Sequence, residues 1–421
     1  MKSSPFWVEE FPRPQGITSD LPSDADVLVV GSGLTGLSAA LRLARGGKTV
    51  AVLDRGDIAS GASAINGGMV SPDIKAGIKV IFDRFGPELG HEMWQASVRS
   101  VDIVSDVARA ENIDVQIVNG GMAALGIHAD SQAKFESSVA WYRKTVGVDW
   151  EVLGRDRVSE VVASDRFTAV LFEPEGLGIQ PARFVFGVAA AAAAAGAILI
   201  DDCAVRDVSR DGPGFKVGTD RGTVRAGEVI LATNGYTTSE PVRELARRVV
   251  PIGSYIIVTE PLGERAARIF PQGSMTYTKR RLLNYMRRTP DDRILIGGRR
   301  NLHTGLDLEE SAADLRRQLL SYFPDLEDAE TTHVWGGKLG VPFDLIPHMG
   351  QIDGVWYALG YAGHGVGLST LMGHELGGML LGEEPASSFT KIPLPTRFYY
   401  RGRPWFLTPA SILYRALDRF G

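Results

Sequence analysis

Residues 26–54 read DVLVVGSGLTGLSAALRLARGGKTVAVLD, and the order of residue types in this stretch decides the fold. VLVV (27–30) is an unbroken apolar run, as expected of a strand buried on both faces. A glycine turn follows, and then Leu34, Leu37, Leu41 and Ala44 recur at helical spacing. Gly46 and Gly47 stop that helix, and VAVL (50–53) is a second buried run. Strand, helix and strand within about thirty residues predict a parallel βαβ unit. In the turn, Gly31, Gly33 and Gly36 form GxGxxG. The first glycine permits the tight turn, the second a close approach of backbone to a pyrophosphate, and the third close helix–strand contact. The helix start offers free N–H groups and the positive end of its dipole to the phosphates. Asp54 lies eighteen residues beyond Gly36, where a carboxylate accepts ribose hydroxyls. A lone glycine motif is weak, but strand, turn, helix, strand and acid in this order predict a dinucleotide site.

Outside this unit, residues 1–24 hold Pro5, Pro12, Pro14 and Pro22 without any period, and read as an extended arm. Met93, Ala96, Val101, Val104, Val107 and Ala108 mark a long amphipathic helix, and residues 133–146 a second. Between them DVQIVNGGMAALGI (114–127) reads as a strand pair around Gly120 and Gly121. The charge-free stretch FVFGVAAAAAAAGAILI (184–200) is short for a membrane span and dominated by Ala and Gly. It reads as a tightly packed helix running into a strand at 197–200. Residues 215–218 and 228–232 are expected to return to the first sheet, and 250–300 is strand-rich. Residues 312–323 read as a helix, and 355–359 as a strand before another. There is no internal repeat.

Composition narrows the function. The 421 residues carry 45 Lys and Arg against 50 Asp and Glu, a net charge of −5, which disfavours a nucleic-acid partner. Cys203 is the only cysteine, so disulfides, redox CxxC chemistry and cysteine-rich zinc sites are excluded. The seven histidines form no HxxxH or HxH pair, and no metal site is expected. No GxSxG elbow is present. The first residues lack the apolar core of a signal peptide, and a cytoplasmic protein without a membrane span is expected.

Four further segments carry a resemblance: GASAINGG (61–68), EGLGIQPARF (175–184), VILATNGY (229–236) and YALGYAGHGVGLSTLMGHELGGMLLG (357–382). Together with the opening unit they resemble the D-amino-acid oxidase-like FAD-dependent oxidoreductases, the group of glycine oxidase and sarcosine oxidase, over roughly residues 25–385. The resemblance implies an α/β fold in which a Rossmann-like FAD-binding domain is interleaved with an α+β substrate domain on a mixed or antiparallel sheet. The boundaries expected are an arm at 1–24, the FAD-binding domain at 25–82, 176–245 and 331–385, the substrate domain at 83–175 and 246–330, and a basic aromatic C-terminal tail at 386–421. It implies FAD contacts at Gly31, Ser32, Gly33, Leu34, Thr35 and Gly36, at Asp54 and Arg55, and at Gly61, Ala62, Ser63, Asn66, Gly67, Gly68 and Met69. Further contacts fall at Val205, at Ala232, Thr233, Asn234 and Gly235, and at Gly363, His364, Gly365, Val366 and Gly367. Relatives that bind flavin covalently do so through a late Cys or an early His. Neither position matches here, so a non-covalent FAD is expected.

The reaction implied is removal of two electrons from a carbon bearing nitrogen by hydride transfer to the flavin, giving an imine. Tyr255, Tyr285, Arg300, Lys338 and His364 are the candidate substrate-side residues, with Arg300 able to clamp a carboxylate. Each has a plainer reading as a packing or surface residue. The oxygen-activating Lys of sarcosine oxidases aligns with Ile296, and their carboxylate-binding Arg is missing from MVSPDIKAG (69–77). A gamma-glutamyl-amine, polyamine or N-substituted amine is therefore a better substrate than sarcosine. The sequence leaves the acceptor open between oxygen and another oxidant. It also leaves two alternatives: a hydroxyacid dehydrogenase, or an FAD-binding subunit of a larger redox complex. Residues 386–421 hold six basic residues against Asp418, interleaved with Phe398, Tyr399, Tyr400, Trp405 and Phe406. This tail is expected to dock on the protein's own body, with a second subunit, a redox partner or a membrane surface as alternatives.

Overall fold

The strands Asp24–Val30 and Val50–Leu53 pair in parallel, joined by the Leu34–Arg45 helix, as the opening sequence predicts. The structure, a computed structural model, describes residues 1–299, 301–383 and 387–420. Around this pair a sheet extends in the order His348–Ile352, Val355–Leu359, Gly222–Leu231, Asp24–Val30, Val50–Leu53 and Ile198–Ile200. All neighbours are parallel except the first two, which form a hairpin. Parallel strands need a cover on both faces. On one side lie the Leu34–Arg45, Pro181–Ala194 and Gly365–Leu380 helices. Small residues bring these helices together: a Cβ on Gly373 would sit 2.2 Å from the Thr35 carbonyl oxygen. The alanine-rich stretch is thus a packing helix. Among the described residues no helix is long and apolar enough to cross a membrane. The other side is closed by the antiparallel Val205–Asp211 and Gly214–Thr219 strands.

A second sheet runs Thr331–Pro342, Val249–Thr259, Ile294–Gly298, Tyr285–Arg288, Met275–Thr278, Met122–Gly126, Ala169–Glu173 and Glu151–Leu153. It is antiparallel except where Met275–Thr278 meets Met122–Gly126. The Leu308–Tyr322 helix and a separate apolar core lie against one face. The other face turns toward the first sheet.

Four expectations need correction. The arm is not wholly extended: Phe6–Glu10 is a helix whose Trp7 is fully buried. Segment 114–127 holds one strand, Met122–Gly126; ahead of it Val118 makes only an isolated bridge to Gly178. Strand Thr331–Pro342, assigned by sequence to the FAD side, pairs along its length with Val249–Thr259 in the second sheet. Conversely the Pro87–Ala110 helix, assigned to the substrate side, packs on Gly365–Leu380, where a Gly367 Cβ would lie 2.3 Å from the Ser100 carbonyl oxygen.

Candidate functional site

Gly31 ends the first strand with φ +104°, and a Cβ there would lie 2.9 Å from the Ala232 carbonyl oxygen. A Cβ on Gly36 would lie 2.0 Å from the carbonyl oxygen of Gly31, so the helix crosses the strand at backbone contact. Gly36 is therefore a packing residue, whereas Gly31, Gly33, Leu34 and Thr35 line a large cavity. Ser63 Oγ accepts from the Leu34 N–H at 3.0 Å and so sits at the helix start beside Gly33. Ser32 is fully buried and works indirectly. Its N–H and hydroxyl donate to Asp54 Oδ2 at 2.8 and 2.6 Å, and its oxygen accepts from the Ala59 N–H at 2.8 Å. The Asp54 carboxylate is thereby fixed at the cavity wall with Arg55 and, further along, Val205.

The segment 61–69 forms a second wall. Asn66 closes it on itself: its amide donates to the Ala62 and Ser63 carbonyls at 3.1 and 2.8 Å, and its Oδ1 accepts from Gly68 N–H at 2.8 Å. Two indoles clamp it, Trp7 from outside and Trp335 from the cavity side. Trp7 Nε1 donates to the Asn66 carbonyl at 2.9 Å and Trp335 Nε1 to that of Ile65 at 2.7 Å. Arg287, wholly buried, donates to the carbonyls of Gly68 and Ile179 at 2.9 and 2.8 Å. Burial pushes its pKa down to about 10. Gly68, at φ +66° with no room for a Cβ beside Ile179, belongs to this clamp and not to the wall. Gly61, Ala62, Ser63, Asn66, Gly67 and Met69 do line the cavity.

Ala232, Thr233 and Asn234 line it as well, while Gly235 is packed against the Leu339 backbone. Gly363, His364, Gly365 and Val366 line it at the start of the Gly365–Leu380 helix. Gly367 does not, because it faces Ser100. His364 Nδ1 lies 3.2 Å from Ser71 Oγ. Its pKa is pushed down to about 4 by burial and by Lys75 and Lys279, against the pull of Asp73, so the ring is neutral at ordinary pH.

The second sheet supplies the remaining wall. Ser254 and Ile256 face the cavity, and Tyr285 lines it with its hydroxyl 3.2 Å from Ser254 Oγ. Tyr255 points the opposite way, as alternation along a strand requires. Its ring lies in the second core, and its hydroxyl accepts from the Leu306 N–H at 2.7 Å, so it is not a substrate-side residue. Ile296 is buried on that same far side; its neighbour Gly297, opposite Ile256, lies on the cavity face beneath Tyr285. Lys338 lines the cavity with its Nζ 5.5 Å from the Tyr236 ring centre. Arg300 lies outside the described residues; its neighbour Arg299 lines the cavity, half-buried, with a buried Nε free of any partner among the described residues.

A cluster that the sequence did not reveal completes the site: Asp73, Lys75, Tyr142, Glu173, Tyr277 and Lys279, all on the cavity wall. The buried Glu173 Oε1 accepts from the Tyr277 hydroxyl at 3.2 Å. Burial, and then Asp73, raise its pKa to about 8. Lys75 is lowered to about 8, first by burial and then by Arg299. An acid and a base are thus both brought near neutrality in one chamber. The only signal in the sequence was a single acid closing an otherwise apolar strand, AVLFE (169–173).

The cavity measures about 1260 Å³. That exceeds the ~300–1,000 Å³ of a site for one drug-sized ligand. A glycine-cradled helix start, a fixed carboxylate and a long wall of backbone fit an FAD. Among the described residues no group of His, Cys, Asp and Glu is arranged to hold a metal ion.

Comparison with known proteins agrees with this fit. The chain is 29% identical over 387 residues to a probable oxidoreductase, OrdL, of Haemophilus influenzae, covering 90% of this chain and 88% of that one. It is 31% identical over 371 residues to the gamma-glutamylputrescine oxidoreductase of Escherichia coli, covering 87% and 86%. The glycine oxidase structure from Geobacillus kaustophilus superposes with a TM-score of 0.77 at 21% identity, over 90% of this chain and all of that one, a likeness of fold. Residues 26–379 match the family described as DAO, FAD dependent oxidoreductase, and the chain belongs to that family.

Proposed function

We propose that this enzyme oxidises a C–N bond of an amine to an imine, with FAD held non-covalently, and that its substrate is a gamma-glutamyl-amine or related polyamine derivative. The observation that carries the reading is the Asp73, Glu173, Tyr142 and Tyr277 wall, whose carboxyls and hydroxyls suit an ammonium group entering the cavity. Two further points support it: the 31% identity to a gamma-glutamylputrescine oxidoreductase across most of both chains, and the cations Arg299 and Lys279, which suit a carboxylate on the same substrate.

When bound, FAD supplies the two-electron acceptor. The chain's residues set the protonation state. A substrate ammonium beside Glu173 favours the ionised carboxylate, so that binding draws the acid toward its charged form. Oxidation needs the free amine, and Lys75 Nζ, neutral over much of its population near pH 8, takes the ammonium proton. Neutral His364 offers a hydrogen bond without adding a charge that would repel the ammonium. Tyr285 and Ser254, hydrogen-bonded to each other, hold the opposite wall.

Anaerobic mixing tests this. Bleaching of the flavin absorbance by gamma-glutamyl-amines or polyamines, and not by 2-hydroxyacids, is the expected result. Bleaching by hydroxyacids alone would replace the reading with a hydroxyacid dehydrogenase.

A further inference from the structure

The segment from Arg397 onward departs from the rest of the surface. Among the described residues eleven large hydrophobic side chains are exposed, and seven of them are Phe398, Tyr399, Trp405, Ile412, Leu413, Tyr414 and Leu417. Phe398 is 91% exposed, Trp405 65% and Ile412 63%. So dense an apolar patch on a folded protein marks a contact surface.

The platform beneath is firmly held. Tyr400 is buried and donates to the Val249 carbonyl at 2.9 Å. Leu407 and Ser411 are buried on the inner side of the Leu407–Phe420 helix, with Ser411 Oγ accepting from the Leu302 N–H at 3.0 Å. The expectation that this segment docks on its own body thus holds for its inner side only. The outer side carries the apolar residues together with Arg401 and Arg403, neither of which forms an ion pair among the described residues. Trp405 anchors its Nε1 to the Tyr399 carbonyl at 3.3 Å and leaves its ring outside.

We propose that this face docks on the surface of an anionic lipid bilayer, with the Leu407–Phe420 helix lying in the plane of the headgroups. The charge selects this occupant. Arg397, Arg401 and Arg403 stand exposed here with no ion-pair partner among the described residues, so two copies meeting through this face would set like charges together, whereas acidic headgroups neutralise them. Exposed aromatic side chains and arginines just ahead of an amphipathic helix that itself exposes aliphatic side chains are the composition of an interfacial anchor. Leu417, on the same helix, also lines the cavity, so the docked face includes the cavity's rim.

Flotation of the FAD-loaded full chain with vesicles tests the proposal. Partition onto phosphatidylglycerol-containing vesicles and not onto pure phosphatidylcholine is expected, weakening as salt shortens the screening length. Arg401→Gln with Arg403→Gln should weaken it about fivefold per residue. Trp405→Ser with Ile412→Ser should lower partition at least about tenfold, with FAD content and unfolding temperature unchanged because both side chains are exposed. No partition at low salt, equal partition onto both vesicles, or no effect of either pair of substitutions would overturn it. A concentration-dependent dimer abolished by Trp405→Ser with Ile412→Ser, without vesicle binding, would assign the face to a second copy instead.

Discussion

Gly36 and Gly33 belong to one motif but face different neighbours, and their alanine variants should fail differently. A Gly36 methyl meets backbone at 2.0 Å, so Gly36→Ala is expected to lose about 1–3 kcal/mol of stability even without FAD, measured by urea unfolding. Gly33→Ala meets only Ser63 Oγ, at 3.0 Å, and should leave the apoprotein within about 1 kcal/mol while lowering FAD uptake. Glu173 makes a second pair of predictions. Under the proposed function, kcat/KM falls as pH drops through about 8, where Glu173 and Lys75 take up protons. Glu173→Gln should raise the KM for the amine ~10-fold or more, the usual loss for a hydrogen bond to a charge, with a smaller effect on kcat. Lys75→Met should make the limb near pH 8 shallower, leaving the part that Glu173 contributes. The apoprotein gives an independent readout. The folded-state pKa of Glu173 is raised, so its contribution to stability is full below the ordinary value of 4.5 and is lost as pH rises through about 8. Glu173→Gln should flatten that part of the stability–pH curve, checked by urea unfolding at about pH 5 and about pH 8.5. The glycines were legible because their work is local and their spacing is in the sequence. Glu173 was not, since its partner Tyr277 lies 104 residues away and only strand pairing brings them together.

At the scale of elements, the 61–69 wall depends on groups that never touch the cavity. Removing Arg287 as Arg287→Met leaves the buried Ile179 carbonyl without a donor, at about 1–3 kcal/mol, and leaves the Gly68 carbonyl with only the Ile179 N–H. The expected outcome is a protein that unfolds at lower temperature and retains less FAD, followed by calorimetry and by the flavin-to-protein absorbance ratio. Trp7→Ala should cost about 3–5 kcal/mol for the lost core volume and loosen the same wall through Asn66. The short Phe6–Glu10 helix escaped the sequence because five residues between prolines show no period. Tyr255 was misread for another physical reason. Its strand is buried on both faces, so no polar alternation reveals which side meets the cavity, and a register error of one residue exchanges Tyr255 for Ser254 and Ile256.

For the molecule as a whole, the first sheet followed from the opening βαβ unit and the return of strands to it, and the second sheet from the family resemblance. The exact division did not, because Thr331–Pro342 and Pro87–Ala110 each join the opposite side from the one their position suggested. A cofactor lodged between the sheets should tie them together thermally. FAD at about one hundred times its dissociation constant should add ~2.7 kcal/mol of stability, seen as a rise in unfolding temperature on titration. The Phe6–Glu10 helix has one more effect, on the order of assembly. Trp7 accepts from Gln180 through its carbonyl and lies 5.7 Å from the Arg287 guanidinium, and just ahead of the helix the Lys2 backbone forms an isolated β-bridge with that of His333. Asn66 and Gln180 reach that helix earlier, but its contacts are complete only when His333, more than three hundred residues further on, has left the ribosome. Maturation is then expected to be slow, with the flavin chamber sealed among the last steps and nascent chains most exposed to proteolysis just before it.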